Sequence, residues 1–377
     1  MRKNKVAGSS ILFFILFASI AARAQSPWKG KIYKDGDVTI VKNPKEPIYK
    51  DPVLSLKEDF SIGGAGATGA AMFSYLRDIA VDQDGNIFAL DLRDCCIKVF
   101  DRTAKHVRTI GRRGQGPGEL GGPFSLTLLP SKAEIFVHDV GNSRISVFNT
   151  SGAYLRQMPV LGHFSQIEID SSENIYTWAV DYEPGAEHGI LNKMNPDMSR
   201  TIAEIVSQPV DASHNPFRPR ECWMLDERGF LIFGNAKTYE IRYYDPDGRL
   251  VRRVLRDYEP LKVTREDIAE FANRPTPSGF TPSYDYSTHH AAYRSFFVDD
   301  QGHLFVQTWE RMPGNHQDIH DIFDADGRFI GRIALGRHAD LINPKPRFIH
   351  AGKLYTIELD QDGFEVIKRY SITWKIS

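Results

Sequence analysis

Four arginines, Arg77, Arg220, Arg294 and Arg347, stand at the openings of short apolar runs spread along the chain, with Glu221 beside Arg220. A guanidinium holds a carboxylate or phosphate through two parallel hydrogen bonds, so arginines gathered in one place would bind an anion. The same side chains could instead pair with Asp78, Glu221 or backbone carbonyls and tie neighbouring elements together. Asp91, Asp139 and Glu358 close other apolar runs, where Ala179, Asn235 and Thr308 stand at the equivalent points. Three carboxylates in one ring could hold calcium, whereas short Asp side chains also accept bonds from the turn that follows them. His138, His163, His188, His289, His290, His316 and His320 are scattered, and zinc would need three of them to converge. His316 and His320 are four apart but read as part of a loop, without the His-Glu-x-x-His context of a helical zinc site. Neither a Gly-x-Ser-x-Gly elbow nor a Cys-x-x-Cys pair occurs. The glycine-rich stretch Gly111 to Gly122 lacks a Gly-Lys-Ser/Thr ending, so it reads as a strand-to-strand crossover rather than a phosphate loop. No catalytic residue and no cofactor is assigned, with calcium or zinc as the alternative.

What must position these residues is a repeat. Leu76 to Asp91, followed by Cys96-Ile-Lys-Val-Phe-Asp101, reads as two strands around a tight Asp-Gly turn and then a third strand. The pattern recurs with turn markers at residues 85, 133, 173, 229, 302 and 352, which makes six units. A fourth strand follows in most units, as in His106-Val-Arg-Thr-Ile110 and Leu250 to Leu255. The last unit ends without room for one, while Val53 to Ile62 is a spare strand upstream of the first. The fold expected is therefore all-β: a single six-bladed β-propeller of four-stranded antiparallel blades, closed by that N-terminal strand joining the C-terminal blade. Cys95 and Cys96 fall in a strand-like run and should face opposite ways as packing residues; a vicinal disulfide or a bridge to Cys222 is the alternative.

The repeat also locates function. Additions at Asp181–Gly189 and Glu310–Asp318 fall between second and third strands, and the largest, 257–292, falls between blades four and five. All belong to one face, at which the inner strands begin. Within the largest, Thr264 to Asp267 resembles a helix N-cap, and Ile268, Phe271 and Ala272 form an apolar stripe, so a short helix should lie there. Trp178, Trp309, Tyr284 and Tyr286 map to the same face and could stack on sugars or anchor a partner, or simply pack the blades.

The first residues read as an export signal. Arg2, Lys3 and Lys5 precede the apolar run Ile11–Ile20 and then Ala22-Arg23-Ala24. Residues 1–24 are expected to be removed, leaving a propeller over 25–377 that is periplasmic or secreted. That run is about half of the roughly 20 residues a membrane helix needs, and no later stretch is long enough. The remainder carries 43 basic against 48 acidic residues, so nucleic acid is not an expected partner.

The runs Ile79 to Phe100 and Ile135 to Phe148, the latter with Asp139-Val-Gly-Asn-Ser-Arg-Ile145, resemble NHL repeats of the six-bladed, TolB-like propellers. Ile110-Gly-Arg-Arg-Gly-Gln-Gly-Pro-Gly-Glu119, together with Asn43-Pro-Lys-Glu-Pro47, resembles a family of secreted bacterial six-bladed propellers of largely unassigned function. The combined expectation is an exported, non-catalytic propeller whose decorated face binds a protein, peptide or glycan, with an anionic ligand at the arginine mouth. Arg77, Arg220, Glu221, Arg294, Arg347, Trp178, Trp309, His289 and His290 are its candidate contacts. The alternative implied by analogy with other six-bladed folds is a metal-dependent hydrolase or lyase, of the lactonase-like kind, acting at the channel mouth.

Overall fold

A computed structural model describes residues 28–376 apart from 161–163, 184–185, 212, 214, 273–283, 315–316 and 337–345. The expected export signal, residues 1–24, lies outside the described residues.

The chain forms a six-bladed β-propeller. Blade one consists of Leu76–Val81, Ile87–Asp91, Cys96–Phe100 and His106–Ile110, which pair antiparallel in that order from the centre outward. Its two middle strands are buried at every residue, because each blade is sandwiched between two others; the outer strand is largely exposed. Blade two (inner strand Pro123–Leu129), blade three (Phe164–Ile169), blade four (Cys222–Leu225), blade five (Ser295–Val298) and blade six (Arg347–His350) repeat the plan. Apolar side chains interlock between blades. Phe88, Leu90, Ile97 and Val99 of blade one, for example, pack on Leu126, Ile135 and Val137 of blade two.

Short acidic turns set the register on the face opposite the insertions. The Asp82 carboxylate accepts the N–H groups of Asp84 at 3.0 Å and Asn86 at 2.8 Å, while Gly85 takes φ +81°, open to glycine without strain. Asp245 and Asp324 organise the turns before the outer strands of blades four and five in the same way.

The N-terminal segment does more than the spare strand suggested. β1 (Lys31–Asp35) and β2 (Val38–Asn43) form a hairpin, and β2 runs parallel to the outer strand Leu250–Arg256, so blade four has six strands where four were expected. The chain then crosses blade five, where the N–H groups of Ile48 and Tyr49 donate to Phe329 and Ile330 carbonyls. Finally β3 (Leu54–Gly63) pairs antiparallel with Glu365–Trp374 and completes blade six, as expected. A single belt thus spans three blades. Asn43, 2% exposed, is its buckle: its amide donates to the carbonyls of Gly327 (2.8 Å) and Leu255 (3.1 Å), and its oxygen accepts from Phe329 N–H (2.7 Å) and Trp28 Nε1 (3.2 Å).

Among the described residues no helix is long and apolar enough to cross a membrane. All three cysteines are free thiols. Cys95 is not in a strand; it closes a turn with φ 53°, and Cys96 opens the strand after it.

Candidate functional site

Loops between second and third strands, and connections from each outer strand to the next blade, all emerge on one face. The additions there are more ordered than loops. In blade three the two strands simply extend as a taller hairpin, pairing as far as Glu183 and Ala186. In blade five the second strand runs on to Arg311, which pairs with Asp318. His320 therefore lies in a strand rather than a loop, and His163 and His316 lie outside the described residues.

The largest insertion carries the expected helix, α1 (Arg265–Ala272). Thr264 and Asp267 cap it reciprocally: Thr264 Oγ1 accepts the Asp267 N–H, and the Asp267 carboxylate accepts the Thr264 N–H and hydroxyl. An aromatic cluster fastens the insertion to the blades. Phe217, 1% exposed and delivered by the connection into blade four, meets Phe271 of α1, Tyr286, His290 and Trp309 at centroid distances of 5.0–6.1 Å. His290 stacks on Trp309 at 4.3 Å and bonds Asp267 through Nε2, and Arg311 pairs with Glu270 of the helix. Phe217 had no sequence signal, because Asn215-Pro-Phe-Arg-Pro219 shows no periodicity.

The arginines divide. Arg294 and Arg347 converge on one carboxylate, Asp318, at 3.2 and 3.7 Å, where Gln307 also donates. Arg347 donates in addition to the Gly336 carbonyl and to His320 Nε2. Since arginine only donates, His320 is the Nδ1-protonated tautomer, with Nδ1 donating to the Asp318 carbonyl at 3.1 Å. Burial and the Arg347 charge hold this imidazole well below its ordinary pKa. Asp318 and Glu358 both face the Arg347 cation, and Lys368 stands 3.8 Å from Glu358, so ion pairing joins blades five and six. Arg77 lies over the Phe124 ring, its guanidinium carbon 4.0 Å from the centroid, while the neighbouring Asp78 accepts the Leu126 N–H of the next blade. Arg220 and Glu221 are half-buried ahead of blade four's inner strand, and desolvation raises the Glu221 carboxyl.

The remaining candidates differ in their surroundings. Trp178 is buried between blades three and four against Phe233. His289 is exposed, with Thr288 Oγ1 3.0 Å from its Nδ1. Asp91 accepts the N–H groups of Ser74 and Tyr75, which lead into its own blade, besides that of Asp94 and the Lys98 ammonium. Asp139 does the same for Gly121 and Gly122, and Glu119 accepts the Gly116 N–H, so these donors of the glycine-rich stretch are met within the chain. Glu358 receives the hydroxyls of Thr356 and Tyr370. Among the described residues no three His, Cys, Asp or Glu side chains are grouped to hold a metal.

Titration should expose this burial. Desolvation lowers the pKa of His138, His290 and His320. The unfolded chain therefore takes up protons that the fold refuses, and stability falls as pH drops through about 6.5. Glu168, on blade three's inner strand, is pushed up to about 7 by desolvation; its contribution has the opposite sign, present at low pH and lost as pH rises towards 7. Urea midpoints should thus fall between pH 7.5 and 5.5, less steeply in His320→Gln and more steeply in Glu168→Gln.

Comparison with known proteins agrees with the fold. A family described as a six-bladed β-propeller (DUF5128) matches residues 71–183. No curated protein matches the chain in sequence. Among solved structures, a protein of Bacteroides fragilis inferred to be exported is similar at TM-score 0.57 and 11% identity, over 89% of this chain and 100% of that one. A member of the DUF4221 family from Bacteroides vulgatus is similar at TM-score 0.54 and 12% identity, over 85% and 99%. Virginiamycin B lyase from Staphylococcus aureus is similar at TM-score 0.44 and 12% identity, over 84% and 99%. At these identities the likeness speaks of fold alone.

Proposed function

We propose that this propeller is an exported binding protein that receives a protein partner on its insertion-bearing face. One observation carries the reading. Of the ten exposed large apolar side chains among the described residues, five stand on that face: Met72 (60% exposed), Phe364 (54%), Val140 (43%), Met312 (41%) and Leu261 (40%). The other five, Ile32, Tyr33, Val107, Leu155 and Ile202, lie on outer strands and β1, and the acidic-turn face has none. Five exposed apolar side chains spread over one face, with none on the face opposite, favour the insertion-bearing face as the docking side.

The glycan and anion versions of this reading have weaker support. Trp178, Trp309, Tyr284 and Tyr286 spend their faces on neighbouring aromatics, which leaves little platform for a sugar ring. Arg294 and Arg347 spend their charge on Asp318. Export, to the periplasm or beyond, rests on the N-terminal segment, and NHL- or TolB-like kinship on the first two units.

A photo-crosslinking amino acid placed at Met72, Met312 or Phe364 in the producing cells should yield a discrete protein adduct. The same probe at Asp84 or Asp247, on the opposite face, should not, and Phe364→Glu should weaken the Met72 adduct several-fold. Equal labelling from both faces, or retention on immobilised glycans instead, would refute the proposal.

A further inference from the structure

The outermost strand of the belt is exceptional in this fold. In all six blades the ladder between the third strand and the outer strand is interrupted by a register shift, which twists the blade's rim away from a flat template. β1 has no such interruption. Its five pairs with β2 run unbroken from Lys31↔Lys42 to Asp35↔Val38, and the parallel ladder beneath, from Arg252↔Thr39 to Arg256↔Asn43, is also regular.

Every residue of β1 is exposed, and none belongs to the packed core between the blades. Two of the ten exposed large apolar side chains, Ile32 and Tyr33, are adjacent on it. No strand among the described residues pairs with its outer edge. It contains neither proline nor bulge, and only two lysines guard it.

We infer that β1 is a self-association edge, on which a second copy of this chain adds its own β1 antiparallel, making one continuous sheet of the two fourth blades. The sequence Lys31-Ile-Tyr-Lys-Asp35 is complementary to itself in one register. With Tyr33 opposite Tyr33 of the other copy, Lys31 faces Asp35 and Asp35 faces Lys31, while the Lys34 stem lies against Ile32. Both ends of the shared ladder then carry opposite charges, and all five residues of each strand are used. Moving the register by one residue places Lys31 opposite Lys34 or leaves Lys31 outside the ladder. The lysines that would repel an unrelated strand are therefore answered by the chain's own aspartate and isoleucine. Cross-strand aromatic and opposite-charge pairs favour such an edge, and like charges placed opposite oppose it. A five-residue ladder buries less than a permanent interface needs, so the dimer should be concentration-dependent.

Charge exchange tests the register. Sedimentation equilibrium of the wild-type protein should show a reversible monomer–dimer transition in the high-micromolar range. Lys31→Asp alone places Asp against Asp35 at both ends, Asp35→Lys alone places Lys against Lys31, and each should weaken the dimer by about tenfold. The double variant, Lys31→Asp with Asp35→Lys, exchanges the two charges, restores opposite-charge pairs and should recover wild-type association. Circular dichroism and melting should be unchanged in all three, because β1 is exposed throughout. A wild-type chain that stays monomeric would overturn the inference, as would association indifferent to the single variants or a double variant that fails to recover. The crosslinking result on the insertion face is independent of this one.

Discussion

Replacing Asn43 with alanine is expected to cost about 3–5 kcal/mol of folding stability, far more than the removed side chain's bulk suggests. All four hydrogen-bonding positions of its amide are filled, by Leu255 and Gly327 carbonyls, Phe329 N–H and Trp28 Nε1. Alanine strands the backbone groups of blades four and five away from water, and unmet buried polar groups carry the desolvation cost of each. Asn43→Asp separates hydrogen bonding from volume. The carboxylate keeps the shape but turns an oxygen towards two carbonyls, so it should destabilise comparably. Equilibrium urea unfolding followed by tryptophan fluorescence reads both; a loss under 1 kcal/mol for alanine would show that the buckle is not holding the belt.

Asp321→Ala is expected to be as severe, at about 3–5 kcal/mol, for an electrostatic reason. The carboxylate is fully buried and accepts from Tyr239 Oη at 2.6 Å, Arg332 Nε at 2.7 Å and Arg256 Nη1 at 3.1 Å. Without it, the buried Arg256 and the partly exposed Arg332 lose the anion they share, and Glu310, bonded to Arg332, remains. Asp321→Asn, which retains an acceptor, should recover part of the loss. Parallel urea titrations of the two variants decide the matter, since equal losses would mean that packing, not charge, governs the site.

The contrast between these two residues shows what the sequence could reveal. Signals that act over a few residues were readable: the Asp84-Gly85 turn, the helix cap at Thr264 and Asp267, and the spare strand that became β3. The closing strand was legible because the last unit visibly lacked one. Partners set by tertiary packing were not. Nothing near Val38-Thr-Ile-Val41 indicates a parallel partner more than 200 residues away. Asn43-Pro-Lys-Glu-Pro47 was recognisable by resemblance, but its bonds to two blades are a property of the assembled ring.

The candidate site followed the same division. The repeat mapped Trp178 to the insertion-bearing face but could not say that Phe233 of the next blade covers it. Arg294 and Arg347 were found as residues opening apolar runs, and only the assembled blades show that Asp318 serves both. His320 was misread because a strand extension and a loop insertion lengthen a sequence equally.

The belt also sets the order in which the molecule can be made. Blades one, two, three and five draw their strands from contiguous stretches and can nucleate locally, whereas blades four and six take strands from the N-terminal belt, which leaves the ribosome first and must wait for them. Asn43 meets its partners at separations of 212 and 284 residues, and β3 meets the strand at the far end of the chain. Ring closure is thus a late, entropically slow event that needs the whole chain present. Until it happens, the half-built propeller holds open the sheet edges that the finished one conceals.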